Sequence, residues 1–274
     1  MTSGTIESLP ATRALREAAT RTARLLAAVR QPGAAVPGLT WTAAETAAHM
    51  VAEFRDYAAF ARGERDAGAA RAPGGRETAA QRQAAANAAQ LARFPERDLP
   101  RLADMVVPAA EDFLAAARER GTGERIGTSN GLSMTTPTMT AALLGELVVH
   151  GLDIARAAGV PWPISRPDAL HVIAGVMAMV PDYLDRQRAA GLHVSYELRF
   201  RGGPRYRIAI DDGVAEITTP GPAADCWISA DPTAFLLVGY GRSGQWGQLA
   251  RGKLIAGGRK PWLGFAFGQL ITGP

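Results

Sequence analysis

The sequence predicts a two-domain α+β protein, in which a helical bundle is followed by a smaller α+β domain. Up to about residue 163 the chain is rich in alanine and places apolar side chains at helical spacing, segment after segment. From about Leu192, the segments VSYELRF and RYRIAI are rich in β-branched and aromatic residues, which is typical of strands. We therefore predict an all-helical N-terminal domain over residues 1–163, a bridging helix over 164–190 and a small C-terminal α+β domain over 191–274.

The helices of the first domain are predicted from their periodicity and their end signals. Thr42, followed three residues later by Glu45, forms a capping-box pattern at the start of the second helix. Pro137 is acceptable in the first turn of the fifth helix. The predicted helices cover residues 7–30, 42–63, 77–94, 99–120 and 137–158, and the bridging helix covers about 168–190.

The strands of the second domain are predicted from short apolar runs bounded by turn residues. The segment RYRIAI-DDG-VAEITT indicates a hairpin with Asp-Gly in its turn, and DCWISA indicates a further strand. From Asp231 onward we expect the chain to return to helix or loop, ending in the apolar segment WLGFAFGQLI.

Composition favours a soluble cytoplasmic protein that acts on small anionic molecules. The basic residues are almost all arginine, whose guanidinium group suits carboxylates and phosphates. The net charge of +4 is too small to argue for a nucleic-acid partner. The single cysteine, Cys226, excludes an internal disulfide and fits a reducing compartment. The apolar stretch at residues 170–180 is too short to span a bilayer, so we expect no membrane partner. A monomer or a homodimer is expected.

The fifth predicted helix carries a carboxylate and an imidazole on one face. Glu146 and His150 are four residues apart, so one lies above the other, and Asp153 borders the same face. Apolar neighbours on most sides imply burial, and a buried charge requires a partner. For an isolated E-x-x-x-H pattern, the ordinary interpretation is a core pair that is hydrogen-bonded internally or to arginine.

His49 lies in a similar apolar stripe on the second predicted helix, where a packed core histidine is the ordinary interpretation. Two helices that each present an imidazole, one of them with a carboxylate one turn away, can also build a metal site in a bundle core. The residues alone leave both interpretations open.

Two segments resemble the signature segments of the mycothiol-dependent maleylpyruvate isomerase family, whose first domain is a DinB-like four-helix bundle. They are WTAAETAAHM, with Trp41 eight residues before His49, and GELVVHGLDIARAAG. The resemblance implies that His49, Glu146 and His150 are zinc ligands, that Asp153 belongs to the active site, and that mycothiol is the thiol cosubstrate.

The second domain resembles, more loosely, the sterol-carrier-protein-like C-terminal module of the same family. The matching segments are ADPTAFLLVGYGR and LARGKLIAGGR. The family pattern has an acidic residue after its last glycine, whereas here Gly258 is followed by Arg259 and Lys260.

Two histidines and one carboxylate leave a zinc ion with an open position, which is typical of a catalytic site. A thiol bound there would lose its proton and could attack an electrophilic carbon. Addition alone gives an S-conjugate, whereas addition, bond rotation and elimination give cis–trans isomerisation. Peptidase chemistry is disfavoured because Glu146 is itself the proposed ligand and its neighbours cannot act as a base.

Two further residues are predicted to be catalytic. Asp153 could orient His150 or handle a proton, although a helix cap or a salt bridge to Arg156 is an equal alternative. No acidic residue follows Asp231, so a basic side chain of that region, with Arg242 first, could hold a substrate carboxylate. The alternative for Arg242 is an ordinary solvated basic face.

The leading functional hypothesis is a zinc-dependent thiol S-transferase or isomerase that acts on a small electrophile bearing a carboxylate, such as maleylpyruvate. A second hypothesis is a non-catalytic carrier whose C-terminal domain binds a small molecule. A third keeps the metal and the thiol but assigns another electrophile, as in specialised metabolism.

Overall fold

The computed structural model describes residues 9–64, 79–129, 131–218 and 221–271. The chain divides into two compact units, and the main boundary lies between Gly175 and Val176, inside helix α6 (Arg166–Tyr183). The domain limits placed at residues 163 and 190 from sequence differ from this boundary in position and stay a prediction of domain extent. The fold class is confirmed, since a helical region precedes a domain that contains a sheet.

The first unit is a helical bundle in which α1 and α2 both pack against α4 and α5. The pair β1 and β2, which the sequence did not predict, forms a two-stranded antiparallel ladder in the loop before α5. The elements of this unit that precede α6 are α1 (Pro10–Ala28), α2 (Ala43–Arg62), α3 (Ala79–Arg93), α4 (Leu99–Arg120), β1 (Ile126–Gly127), β2 (Ser133–Met134) and α5 (Thr136–Ala158).

Helix boundaries follow the signals in the sequence closely. The capping box at the start of α2 is present: the Thr42 hydroxyl accepts from the backbone N–H of Glu45, whose carboxylate accepts from the backbone N–H of Thr42. Gly63 ends the helix in the left-handed region, with φ of 71°. The predicted starts of the first and third helices, at residues 7 and 77, lie outside the described residues.

Helices α2 and α5 form the buried centre of the first unit. Within the described residues, α5 is long and apolar enough to cross a membrane, but 72% of its most apolar window is buried inside the protein. A core helix of a folded bundle has the same composition, because its neighbours cover nearly every face. The burial of α5 explains why its polar side chains require partners within the bundle.

The bridging segment differs from the single helix predicted over residues 168–190. Helix α6 ends at Tyr183, and a separate short helix α7 (Arg186–Ala189) follows it. Asp185 begins α7, and its carboxylate accepts from the backbone N–H groups of Gln187 and Arg188. Asp185 therefore separates α7 from α6, because its side chain caps the free N–H groups in the first turn of α7.

The second unit is built on a five-stranded sheet in the order β5-β4-β3-β6-β7. Strands β3 and β6 are parallel, and the other neighbouring pairs are antiparallel. Its elements after α7 are β3 (His193–Phe200), β4 (Arg205–Asp211), β5 (Val214–Thr218), β6 (Cys226–Ala230), α8 (Pro232–Gly239), α9 (Gln245–Ala250), β7 (Leu254–Gly258) and α10 (Leu263–Leu270).

The hairpin predicted from RYRIAI-DDG-VAEITT is confirmed as β4 and β5. Asp212 and Gly213 have φ of 44° and 79°, the left-handed values that a tight primed turn needs at both central positions. The prediction of four strands between Leu192 and Asp231 is therefore correct in number and order for the described residues.

The expectation of only helix or loop after Asp231 is wrong, because β7 completes the sheet beside β6. Its sequence, LIAGG, lacks a strand-like alternation, so its conformation depends on pairing with a strand remote in sequence. The indole of Trp227 on β6 lies over Gly257, where a Cβ atom would come 2.1 Å from the ring. Glycine there permits the close approach that the pattern could not reveal.

Candidate metal centre

His49 lies on the buried face of α2, and its side chain is only 1% exposed. Its Nε2 atom lies 3.2 Å from Oε2 of Glu146 on α5. The ring is 5.0 Å, between centroids, from the indole of Trp41, which precedes the α2 cap. The packing of α2 against α5 thus brings together two parts of the sequence that are almost a hundred residues apart.

Glu146 and His150 lie one turn apart on α5, as their spacing predicts. Nε2 of His150 is 3.2 Å from Oε2 of Glu146, so this oxygen lies between the two imidazoles. One ligand atom from each of His49, Glu146 and His150 lies within 4.8 Å of the others. These residues form the one group of this kind among the residues that the structure describes.

The other nitrogen of each imidazole has a hydrogen-bond partner behind the cluster. Nδ1 of His49 is 2.7 Å from Oε1 of Gln90, and Nδ1 of His150 is 3.0 Å from Oδ2 of Asp153. With both Nδ1 atoms engaged in this way, both Nε2 atoms face Glu146. Histidines that bind metals typically show this arrangement, in which an outer partner fixes the ring orientation.

The carboxylates around His150 set its charge in the metal-free protein. Burial lowers the pKa of His150, but hydrogen bonds to Asp153 and Glu146 outweigh burial and raise that pKa to about 9. Burial likewise raises the pKa of Glu146, and hydrogen bonds from His150 and His49 outweigh it, so that this pKa lies well below its usual range. The metal-free cluster is therefore an internally hydrogen-bonded ion pair, which agrees with the core-pair interpretation of E-x-x-x-H.

The donor set also fits a divalent metal. The Glu146 side chain is 21% exposed and that of His150 is 13% exposed, so a further ligand can reach the cluster from that side. Two imidazole nitrogens and one carboxylate oxygen with an open side are typical of catalytic zinc sites. A divalent cation here would take the place of any proton that the two Nε2 atoms share with Oε2 of Glu146. The positions of these three side chains are therefore compatible with both the core-pair and the metal-site interpretation.

Sequence reasoning missed the polar side chains behind His49. Gln90 on α3 is 5% exposed, and its Nε2 donates to Oε2 of Glu53 at 2.5 Å and to Oδ2 of Asp56 at 3.0 Å. Burial raises the pKa of Glu53 to about 7, although the nearby His49 opposes that rise. The sequence does contain a signal for Glu53. This residue follows His49 by four positions, as His150 follows Glu146, so Glu53 is expected on the same helix face as His49.

The two residues predicted to be catalytic lie in different units. Asp153 is fully buried and contacts the ring of His150, so the structure brings it together with the predicted ligands. Arg242 lies in the second unit, where its guanidinium donates to the backbone carbonyl of Tyr240. The catalytic roles of both residues stay predictions.

The basic residues that follow Gly258, where the family pattern has an acidic residue, have a partner in the structure. Arg259 and Lys260 lie 2.7 and 3.4 Å from the carboxylate of Asp225, next to β6. These contacts help to hold the pKa of Asp225 below its usual range, against the opposing effect of burial. The basic pair that replaces an acidic residue thus has an acidic partner within the same unit. Cys226, beside Asp225, is a fully buried core residue.

The fold and the site define a class of protein: a helical bundle with an imidazole–carboxylate cluster open on one side, followed by a domain with a mixed sheet. The model of the mycothiol maleylpyruvate isomerase N-terminal domain matches residues 15–155, which include all of the proposed ligands. The chain belongs to this family. None of the curated proteins matches the chain in sequence.

Solved structures support the same fold over both units. The crystal structure of a mycothiol-dependent maleylpyruvate isomerase aligns with a TM-score of 0.53 and 13% identity, over 92% of this chain and 95% of that one. A histidine-to-alanine mutant of the mycothiol-dependent maleylpyruvate isomerase aligns over the same shares, with a TM-score of 0.52 and 13% identity.

A sterol carrier protein 2 from Yarrowia lipolytica aligns with 32% of this chain and 86% of its own length, at 17% identity. Its TM-score of 0.24 is too low to support an argument. The sterol-carrier-protein-like character of the C-terminal domain therefore stays a prediction.

Proposed function

We propose that this protein is a metal-dependent enzyme, with zinc the expected metal, that activates a low-molecular-weight thiol for attack on a small electrophile. The observation that carries the proposal is the cluster of His49, Glu146 and His150, whose imidazoles are oriented by hydrogen bonds at Nδ1. Membership of the mycothiol maleylpyruvate isomerase family supports an enzyme of this kind. Mycothiol is accordingly the thiol we propose.

Each residue of the cluster has a role that follows from its contacts. His49 and Glu146, with His150, would hold the metal, and the carboxylate would offset part of its charge. Asp153 keeps the His150 ring in place by accepting its Nδ1–H. A bound divalent metal would lower the pKa of a thiol at the open side and so supply a sulfur nucleophile at neutral pH.

The electrophile is proposed to be small and to carry a carboxylate, as maleylpyruvate does. The similar crystal structures are those of a maleylpyruvate isomerase, and this chain has basic residues, Arg242 first among them, that suit a carboxylate. Addition of the thiol alone would make the protein an S-transferase, and addition followed by rotation and elimination would make it an isomerase. We also propose a cytoplasmic location, which fits the buried and unpaired Cys226.

Metal analysis of the purified protein tests the proposal. We expect about one divalent ion per chain in the wild type and a loss of most of it in His150→Ala, because two donors seldom retain a metal that three hold. His193→Ala is the matched control, because His193 lies in the second unit with its side chain 71% exposed. Wild-type protein that takes up no divalent metal, even after metal is supplied, would contradict the proposal.

Turnover then separates an enzyme from a carrier. With metal present, loss of maleylpyruvate should depend on the added thiol and should fall at least about a hundredfold in His150→Ala, the range typical for removal of a catalytic group. A carrier would bind small molecules without consuming thiol or converting the electrophile. Thiol-dependent reaction with other electrophiles only would assign the protein to a different substrate within the same chemistry.

A further inference from the structure

Gln90 is a buried amide that connects His49 to two carboxylates of α2. Its Oε1 lies 2.7 Å from Nδ1 of His49, and its Nε2 lies 2.5 Å from Glu53 and 3.0 Å from Asp56. Since Glu53 and Asp56 are four and seven residues after His49, the three side chains share one face of α2. Gln90 reaches this face from α3.

The carboxylates determine which way the amide points. Both carboxylates accept hydrogen bonds from the amide in the structure, so the NH₂ group of Gln90 faces Glu53 and Asp56. The reversed orientation would place the amide oxygen against those acceptors and the NH₂ group against His49. Two carboxylates on one side of the amide therefore fix the carbonyl oxygen toward the imidazole.

The amide in turn determines the tautomer of His49. A carbonyl oxygen only accepts, so Nδ1 of His49 carries the proton that is donated to Gln90. The remaining Nε2 is then the nitrogen that can offer a lone pair, and it lies 3.2 Å from Oε2 of Glu146 within the donor cluster. The chain of contacts thus leads from two carboxylates through one amide to the ligand atom.

We propose that Gln90, held by Glu53 and Asp56, is a positioning residue that selects the metal-binding tautomer and orientation of His49. The proposal rests on the proposed metal-dependent function. It gives His49 on α2 an outer partner equivalent to the one that Asp153 provides for His150 on α5. The competing explanation is that Gln90 merely satisfies buried polar groups and ties α3 to α2.

Cobalt titration of metal-free protein distinguishes the two explanations, because the visible absorption of Co²⁺ reports the geometry of its ligands. We expect Gln90→Leu to bind Co²⁺ about 10–100-fold more weakly than the wild type, the usual effect of losing an outer partner of a ligand. Its Co²⁺ spectrum should also change. Gln83→Leu is the matched control. Gln83 lies on α3, as Gln90 does, and both side chains line a small cavity that Glu53 also lines. This variant should bind as the wild type does.

A second variant exchanges the amide of Gln90 and the carboxylate of Glu53, which contact each other. Gln90→Glu combined with Glu53→Gln keeps an accepting oxygen for Nδ1 of His49 and an amide N–H opposite it. We expect the exchanged pair to recover most of the lost Co²⁺ affinity and the wild-type spectrum. Should Gln90→Leu not fold, the exchanged pair decides: wild-type-like Co²⁺ binding supports the proposal, and loss of binding overturns it.

Failure of this proposal and failure of the proposed function have different signatures. A Gln90→Leu variant with a lower unfolding midpoint but unchanged Co²⁺ affinity and spectrum would overturn the positioning role and leave the metal site intact. A wild-type protein that shows no Co²⁺ binding would overturn both proposals.

Discussion

At the scale of single residues, each ring nitrogen of His150 lies within hydrogen-bond distance of a carboxylate. Asp153 lies 3.0 Å from Nδ1 and Glu146 lies 3.2 Å from Nε2. Both carboxylates favour the protonated ring, which explains why its pKa rises to about 9 despite burial. A metal requires the neutral ring, so metal and proton compete for Nε2.

We expect metal binding at pH 7 to release about one proton from His150, because pH 7 lies below the raised pKa of about 9. Apparent affinity should therefore increase as the pH rises, by up to about tenfold per unit, and level off near that pKa. Calorimetry in buffers of different ionisation enthalpy measures the released proton.

Asp153→Asn tests the source of that proton. The substitution removes a carboxylate that raises the pKa of His150, so fewer protons should be released at pH 7. Asp211→Asn is the control, because Asp211 bonds Nδ1 of the exposed His193 in the second unit. Equal proton release by Asp153→Asn and the wild type would show that Asp153 does not set the charge of His150.

At the scale of elements, α5 is held in place by a tryptophan beyond its end. The indole of Trp162 donates to the backbone carbonyl of Val148 at 3.0 Å and lies over Gly151, next to His150. A Cβ atom at residue 151 would come 2.4 Å from the ring. Because the hydrogen bond restrains the indole, the ring cannot move away without losing it.

We expect Gly151→Ala to lower the free energy of unfolding by about 1–3 kcal/mol, the usual effect of overpacking a fixed contact. Gly268→Ala is the control: Gly268 is also a helical glycine, on α10, and a Cβ atom there would meet nothing within 4 Å. That variant should be unchanged or more stable by up to about 1 kcal/mol. Urea unfolding followed by circular dichroism measures both, and equal stabilities would contradict the packing argument.

At the scale of the whole molecule, the proposed metal centre belongs entirely to the first unit. His49, Gln90, Glu146 and His150 all precede the boundary at residues 175 and 176. The second unit has its own core around Tyr196, whose ring is fully buried and packs against Phe267. A ligand that binds only one unit stabilises that unit by mass action.

Hydrogen exchange should therefore respond to the metal in one unit only. On addition of Zn²⁺ we expect slower exchange in peptides from α2 and α5, which carry the donors, and little change in peptides from β3 and β4. Mass spectrometry of the exchanged peptides measures this, with His150→Ala as the control that should show no slowing. Equal slowing in both units would contradict a metal site confined to the first.

Much of this organisation was predictable because its causes are local. Helix α2 begins at the capping box of Thr42 and Glu45, and the β4–β5 hairpin turns at Asp212 and Gly213. The spacing of Glu146 and His150 predicts their shared helix face, since residues four apart are neighbours in any helix. Such features depend on side chains a few residues apart, and any fold has to accommodate them.

Other features depend on contacts between remote segments. Strand β7 forms because LIAGG pairs with β6, and Gly257 permits the close approach of the Trp227 indole. Gln90 lies in an alanine-rich helix whose sequence gives no sign of function, and its role emerges only where α3 faces α2. No local pattern encodes which buried amide will meet which imidazole.

The sequence by itself predicted the two domains in outline and the start of helix α2, and its resemblance to the family indicated the three donor residues proposed for the metal. Only the tertiary structure decided that Nε2 of His49 meets Glu146 and that Gln90, Glu53 and Asp56 stand behind that ring. The physical reason is distance: helix periodicity relates residues within one element, whereas packing between α2, α3 and α5 sets positions between elements.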